Sequence, residues 1–126
     1  DRAVDLSAEH GREREQYGYP VGMYQAVKHR VADMWMDMQA ARSLVYYAAW
    51  ALANDEPDAG RAASAATAFC GDEMPRIFGD DVQNHGAMGF TTDHDAHLYL
   101  KQAKTWQQFL GSPRDHYDRI AAARGI

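Results

Sequence analysis

From Tyr24 to Leu52 the apolar positions fall at Tyr24, Val27, Val31, Met34, Met38, Ala41, Val45, Ala48 and Leu52. Steps of three and four place these residues on one stripe of an α-helix, with Lys28, Asp33, Asp37 and Arg42 off it. The pattern predicts a helix of about 30 residues, on the order of 45 Å long. Trp35, Leu44, Tyr47 and Trp50 widen the apolar surface beyond that seam and predict a second contact. Upstream, a helical stretch over residues 1–16 is expected to stop before Gly18 and Pro20.

Downstream, Asn54 to Asp58 form a polar turn, and an alanine-rich helix follows over residues 59–84. Pro75 predicts a local kink in it, eased by Gly71 four residues earlier. After Gly86, Gly89, Thr91 and Thr92, either Asp93 or Asp95 is placed to cap a fourth helix carrying Tyr99, Ala103, Trp106 and Leu110 at helical spacing. A short fifth helix is expected after Gly111 and Pro113. No run alternates as a strand would. The reading is an all-α fold, an antiparallel four-helix bundle with a short extra C-terminal helix, as a single domain over residues 1–126.

Composition narrows the function classes. Thirteen Lys+Arg against eighteen Asp+Glu leave a formal charge of −5, no electrostatic argument for nucleic acid or an anionic membrane. The longest apolar run, Leu44 to Ala53, is about half of what a membrane span needs. The single cysteine, Cys70, excludes an intrachain disulfide, suits a reducing, cytoplasmic setting, and reads as a small buried hydrophobe. The polar, methionine-free start suggests a segment of a longer protein.

Six histidines, with the cluster Asp93-His94-Asp95-Ala96-His97, raise the question of a metal. Bundle metal sites use Glu-x-x-His pairs, which this chain lacks, so no metal is expected and the cluster reads as helix capping. Two loops carry more. Around Arg14-Glu15-Gln16-Tyr17-Gly18 an arginine fork suited to a diphosphate stands beside an aromatic ring. In Gln83-Asn84-His85-Gly86-Ala87-Met88-Gly89-Phe90-Thr91 the glycines permit close backbone approach to a ligand and Gln83 offers an amide. Taken singly, each loop fits a plain helix terminus. Taken together, they read as two halves of an anion-binding lip.

The stretches REQYGYPVGMYQAVKHRVADM and DDVQNHGAMGFTTDHDAHLYLKQAK resemble the C-terminal helical domain of FAD-dependent acyl-CoA dehydrogenases. The usual family forms are Arg-x-Gln-Phe-Gly-x-Pro-Ile-Gly-x-Phe-Gln and Gln-x-x-Gly-Gly-x-Gly-Phe/Tyr-Thr. The resemblance spans nearly the whole chain. It implies that both loops reach across a dimer interface to the FAD of the neighbouring subunit, in a homo- or hetero-oligomer. Arg14 would bind the pyrophosphate with Gln16 and Tyr17 beside the cofactor, and Gln83, Gly86 and Ala87 would form the second contact. It also implies α,β-dehydrogenation of an acyl-CoA, with electrons passing to an electron-transfer flavoprotein, in fatty acid or lipid metabolism.

Three departures qualify this. Tyr17 stands for the usual Phe. Ala87 replaces the second Gly of the Gly-Gly pair, and its methyl would crowd the cofactor if that backbone must take a positive φ. Leu110 occupies the position where many members carry the catalytic glutamate, so no catalytic residue is assigned in this chain. The base then lies upstream, or the chain is a non-catalytic subunit of a heteromeric dehydrogenase, or it binds FAD without dehydrogenation. The alternative from another class is a flavin-free helical interaction module. The isolated chain is expected to be inactive.

Overall fold

Helices account for most of the computed structural model, which describes residues 1–126. They are α1 (Arg2–Glu13), α2 (Gln25–Ala53), α3 (Ala59–His85), α4 (Ala96–Phe109) and α5 (Pro113–Ala122). A two-stranded ribbon, β1 (Glu15–Gln16) with β2 (Tyr19–Pro20), and a 3₁₀ turn at Val21–Met23 link α1 to α2. A second 3₁₀ turn, Gly86–Phe90, follows α3.

Residue pairs give the directions. Val4 packs with Met34 and Ile77, and Ser7 meets Asp81, so α1 runs parallel to α3. Arg30 reaches Asp80 while Ala48 and Ala51 meet Ala62 and Ala66, so α2 is antiparallel to α3. Phe78 stacks on Tyr99 and Gln107 reaches Gly71, so α4 descends along α3 as well. The result is the expected antiparallel four-helix arrangement, with α3 the common neighbour and α5 laid on it through Tyr117 and Asp72. No helix is long and apolar enough to cross a membrane.

Pro75 does not end α3, which continues to His85. A proline in a helix frees the carbonyl four residues back. Here that carbonyl, Gly71 O, accepts a hydrogen bond from Gln107 Nε2 at 2.7 Å, so a side chain of α4 replaces the missing backbone donor. A Cβ on Gly71 would sit 2.9 Å from the Pro113 ring, so the same residue lets α5 approach.

The structure corrects three local expectations. Helix α1 stops at Glu13, and Gln16, expected in the helix, lies in the ribbon. Val45 and Leu52, placed on the inward stripe, are exposed, while Ala41, Ala48 and Ala51 are buried. The reason is α3, which meets α2 at that end through Ala59, Ala62 and Ala66, so the backbones close up and larger α2 side chains are left on the flank. Asp95 occupies the N-cap of α4 but makes no side-chain cap bond. His94 Nδ1 does so instead, accepting the Ala96 N–H at 3.1 Å.

Candidate functional site

The first half of the lip is a turn under strain. Tyr17 and Gly18 connect β1 to β2 with φ of 53° and 82°, the mirror-image turn that suits a two-residue hairpin. Glycine takes that conformation freely; a tyrosine does so at a cost of roughly 1–2 kcal/mol. The Tyr17 ring is nonetheless 90% exposed, so packing within the chain does not explain it. Three contacts hold the hairpin. Val21 N–H donates to Arg14 O at 2.7 Å, and Tyr24 Oη donates to Gln16 O at 3.0 Å. The third is Gly22, whose Cβ, if present, would stand 2.7 Å from Gly11 O.

The second half is fixed by a similar close approach. Gly86 takes φ 60° to leave α3, and a Cβ on Gly89 would lie 2.5 Å from Val82 O. Ala87 is exposed and is not among the residues with positive φ. The conformational objection to alanine there falls away, because glycine is required at Gly86 and Gly89 and not at Ala87.

Beneath both halves lies a buried polar network that the linear pattern did not reveal. Asp81 is fully buried and accepts from Ser7 Oγ at 2.7 Å. Asn84 Nδ2 donates to Ser7 Oγ at 3.1 Å, and Arg30 Nη1 donates to Asn84 Oδ1 at 3.1 Å. His85 Nδ1 lies 2.8 Å from Asp81 O and 3.3 Å from Asp81 Oδ1. The His85 ring sits between two others, with centroids 4.6 Å from His10 and 4.1 Å from His94. Burial alone would lower the His85 pKa, but the Asp81 side chain and carbonyl outweigh it and raise it above the ordinary value. His10 and His94 are both lowered, first by burial and then by the charge of His85.

The stack brings the C-terminal part of α1 against the end of α3 and the segment before α4. His10 O accepts the Arg14 N–H at 2.9 Å, and His85 immediately precedes Gly86. Arg14, Gln16, Tyr17, Gln83 and Ala87 are exposed, with Gly86 half-buried. The side chains of Arg14, Gln16 and Gln83 make no hydrogen bond or ion pair within the chain, which leaves three polar groups for a ligand. Asp81 and His85 stand four apart in line with Ile77, a spacing that points weakly to the network because an unpaired polar residue on that face would be costly.

Leu110 ends α4 on the other side of α3, half-exposed, and its carbonyl accepts from His116 Nε2 at 3.0 Å. Its side chain lines an apolar cavity of about 270 Å³ with Cys70, Met74, Phe78, Tyr99 and Trp106. Cys70 is half-buried there, and burial pushes its thiol up. Of the other nearby carboxylates, Glu73 is paired with Arg76 at 2.6 Å and Asp115 sits in the first turn of α5. No group of three His, Cys, Asp or Glu side chains forms a metal site.

Residues 1–124 match the family described as acyl-CoA dehydrogenase, C-terminal domain. The chain belongs to the acyl-CoA dehydrogenase family. It is 34% identical over 123 residues to the acyl-CoA dehydrogenase IpdE2 of Mycolicibacterium smegmatis, covering 96% of this chain and 37% of that protein. Among solved structures it is similar to butyryl-CoA dehydrogenase from Megasphaera elsdenii, with TM-score 0.92, 27% identity, and coverage of 98% of this chain and 32% of that one. It is also similar to a chain of the ChsE4–ChsE5 complex from Mycobacterium tuberculosis, with TM-score 0.90, 32% identity, and coverage of 98% and 34%. The chain thus spans about a third of the length of the acyl-CoA dehydrogenases it matches.

Proposed function

We propose that this chain is the part of a flavoprotein acyl-CoA dehydrogenase that grips FAD and meets a partner subunit. The observation that carries the reading is the lip: Arg14, Gln16 and Gln83 left free, with exposed Tyr17 held in a strained turn. A guanidinium fork matches a pyrophosphate, an aromatic ring matches a flat heterocycle, and free amides match its polar edge. Bound FAD supplies the hydride acceptor for α,β-dehydrogenation of an acyl-CoA thioester, the electrons then passing to an electron-transfer flavoprotein. This chain's contribution is to orient the cofactor through Arg14, Gln16, Tyr17, Gln83, Gly86 and Ala87.

The test is FAD content and affinity of the full-length protein carrying Arg14→Ala. A charge-assisted bond contributes about 1.5–3 kcal/mol, so FAD should bind roughly ten- to a hundredfold more weakly. Unchanged affinity would remove Arg14 from the reading.

Leu110 supports a refinement. A leucine takes no proton, so in this reading the base comes from another segment or from a partner subunit of different sequence. The exposed face of α2, with Trp35 at 56%, Tyr46 at 69% and Trp50 at 51% exposure, supplies apolar area for such a contact. Native mass spectrometry should find an oligomer, and acyl-CoA-dependent dye reduction should be absent from this chain alone. Turnover by a monomer of this chain would overturn the refinement.

A further inference from the structure

We propose that the His10–His85–His94 stack, anchored on Asp81, is a proton-sensitive clasp that holds the two halves of the lip together, and that acidification opens it. The functional consequence rests on the flavin reading; the clasp itself does not.

The geometry assigns the protons. His85 Nδ1 faces two acceptors, Asp81 O and Asp81 Oδ1, so it carries a hydrogen. Asp81 is fully buried and its Oδ2 has no hydrogen-bond partner, and this carboxylate favours the positive form of the His85 ring beside it. His94 must do the opposite. Its Nδ1 accepts the Ala96 N–H, so that nitrogen is bare, and a proton there would turn the acceptor of the α4 cap into a donor. The same proton would set a second positive ring 4.1 Å from His85. A proton on His10 would do likewise at 4.6 Å, at the residue whose carbonyl holds Arg14.

Charged groups converge on the stack from each element around it. From α1 comes His10 and from the residue that caps its C-terminus Arg14, from α3 Asp81, from the segment before α4 His94 and Asp95, and from α4 His97. From α2, Arg30 is committed to Asn84 and Asp80. Only Asp81 and Asp95 oppose a second positive charge, and Asp81 is already paired with His85. The neutral state of the two outer rings is therefore the closed state. The four residues are positioning residues: they act on a ligand only through the loops they join.

The experiment measures FAD release from the full-length holoprotein between roughly pH 5.5 and 7.5, where histidines change charge. Its second readout is amide hydrogen exchange of residues 14–18 and 86–90, corrected for intrinsic rates. Wild type should release FAD several-fold faster, and exchange faster in both loops, at the acid end. The double variant His10→Gln, His94→Asn should show neither change, because Asn keeps an acceptor for the α4 cap and neither amide titrates. Thermal unfolding at neutral pH verifies that the variant is folded, and His94→Asn alone serves if the double variant is not. Acid sensitivity that survives in the folded variant would overturn the clasp, as would its absence in wild type. If the protein holds no FAD, the flavin reading fails, and the exchange data alone decide the clasp.

Discussion

At one end of the α2–α3 seam, Ala48, Ala51, Ala62 and Ala66 bring two helices together through methyl groups, with Leu44 and Ala59 packed at the margin. At the other end, Ser7, Asp81, Asn84 and His85 are buried in one connected network. The alanine end lets the backbones approach and has no preferred rotation. The polar end works the other way. Each bond has a direction, so the network fixes how α1, α2 and α3 are set against one another, and any missing partner leaves a buried group unsatisfied. The candidate site lies at the end where orientation is specified, and the end that only needs to be dry is the simple one.

The comparison breaks most decisively at Asp81. Removing one partner of a buried pair leaves the other uncompensated, so Asp81→Ala should cost about 3–5 kcal/mol in chemical denaturation. At the alanine end, Ala51→Leu inserts volume where the residue is fully buried and should cost about 1–3 kcal/mol. Ala66→Gly should cost about 1 kcal/mol, chiefly through helix propensity. An Asp81→Ala loss no larger than that of Ala66→Gly would mean that the polar end is not an orienting device.

Much of this was legible in the linear pattern, and the reason is periodicity. Stripes of three and four reveal helices because one face must be buried, so all five helices and their order could be read directly. The ribbon at Glu15–Pro20 could not: its strands are two residues long, too short to alternate, and a tyrosine at positive φ conceals the turn. Helix α3 reads straight through Pro75, but the side chain that takes up the freed carbonyl could not be read, because Gln107 is 36 residues from Gly71. A family resemblance singles out the lip residues, and it does not reach the network beneath them. Ser7 and Asp81 are 74 residues apart, and each polar residue read alone fits a helix end or a wet surface.

Stability against pH separates the components of the polar end. His85 has a raised pKa in the fold, so its contribution is complete below the ordinary value of 6.5 and is lost as pH rises through the raised one. His10 and His94 have lowered values, so theirs is complete above 6.5 and is lost as pH falls through the lowered ones. The curve should peak near 6.5 and fall on both sides, each limb smaller than the Asp81→Ala loss. Asp81→Asn should flatten the alkaline limb, and His10→Gln with His94→Asn the acid one. Denaturation midpoints across that range provide the check, and a curve unmoved by either change would detach the histidines from the network.

The smallest predicted effect has the opposite sign. Tyr17 occupies a left-handed position where asparagine before glycine is the favoured pair, so Tyr17→Asn should stabilise the chain by about 0.5–1 kcal/mol. Nothing within the chain packs against that ring to offset the gain. If the ring is there for a cofactor, the same substitution should weaken FAD binding in the full-length protein while the denaturation midpoint rises. The two effects together mark a residue retained for its ligand against its own backbone preference. A higher midpoint with unchanged FAD affinity would leave the strain at Tyr17 without a function, and Arg14 would then have to carry the hairpin half of the lip alone.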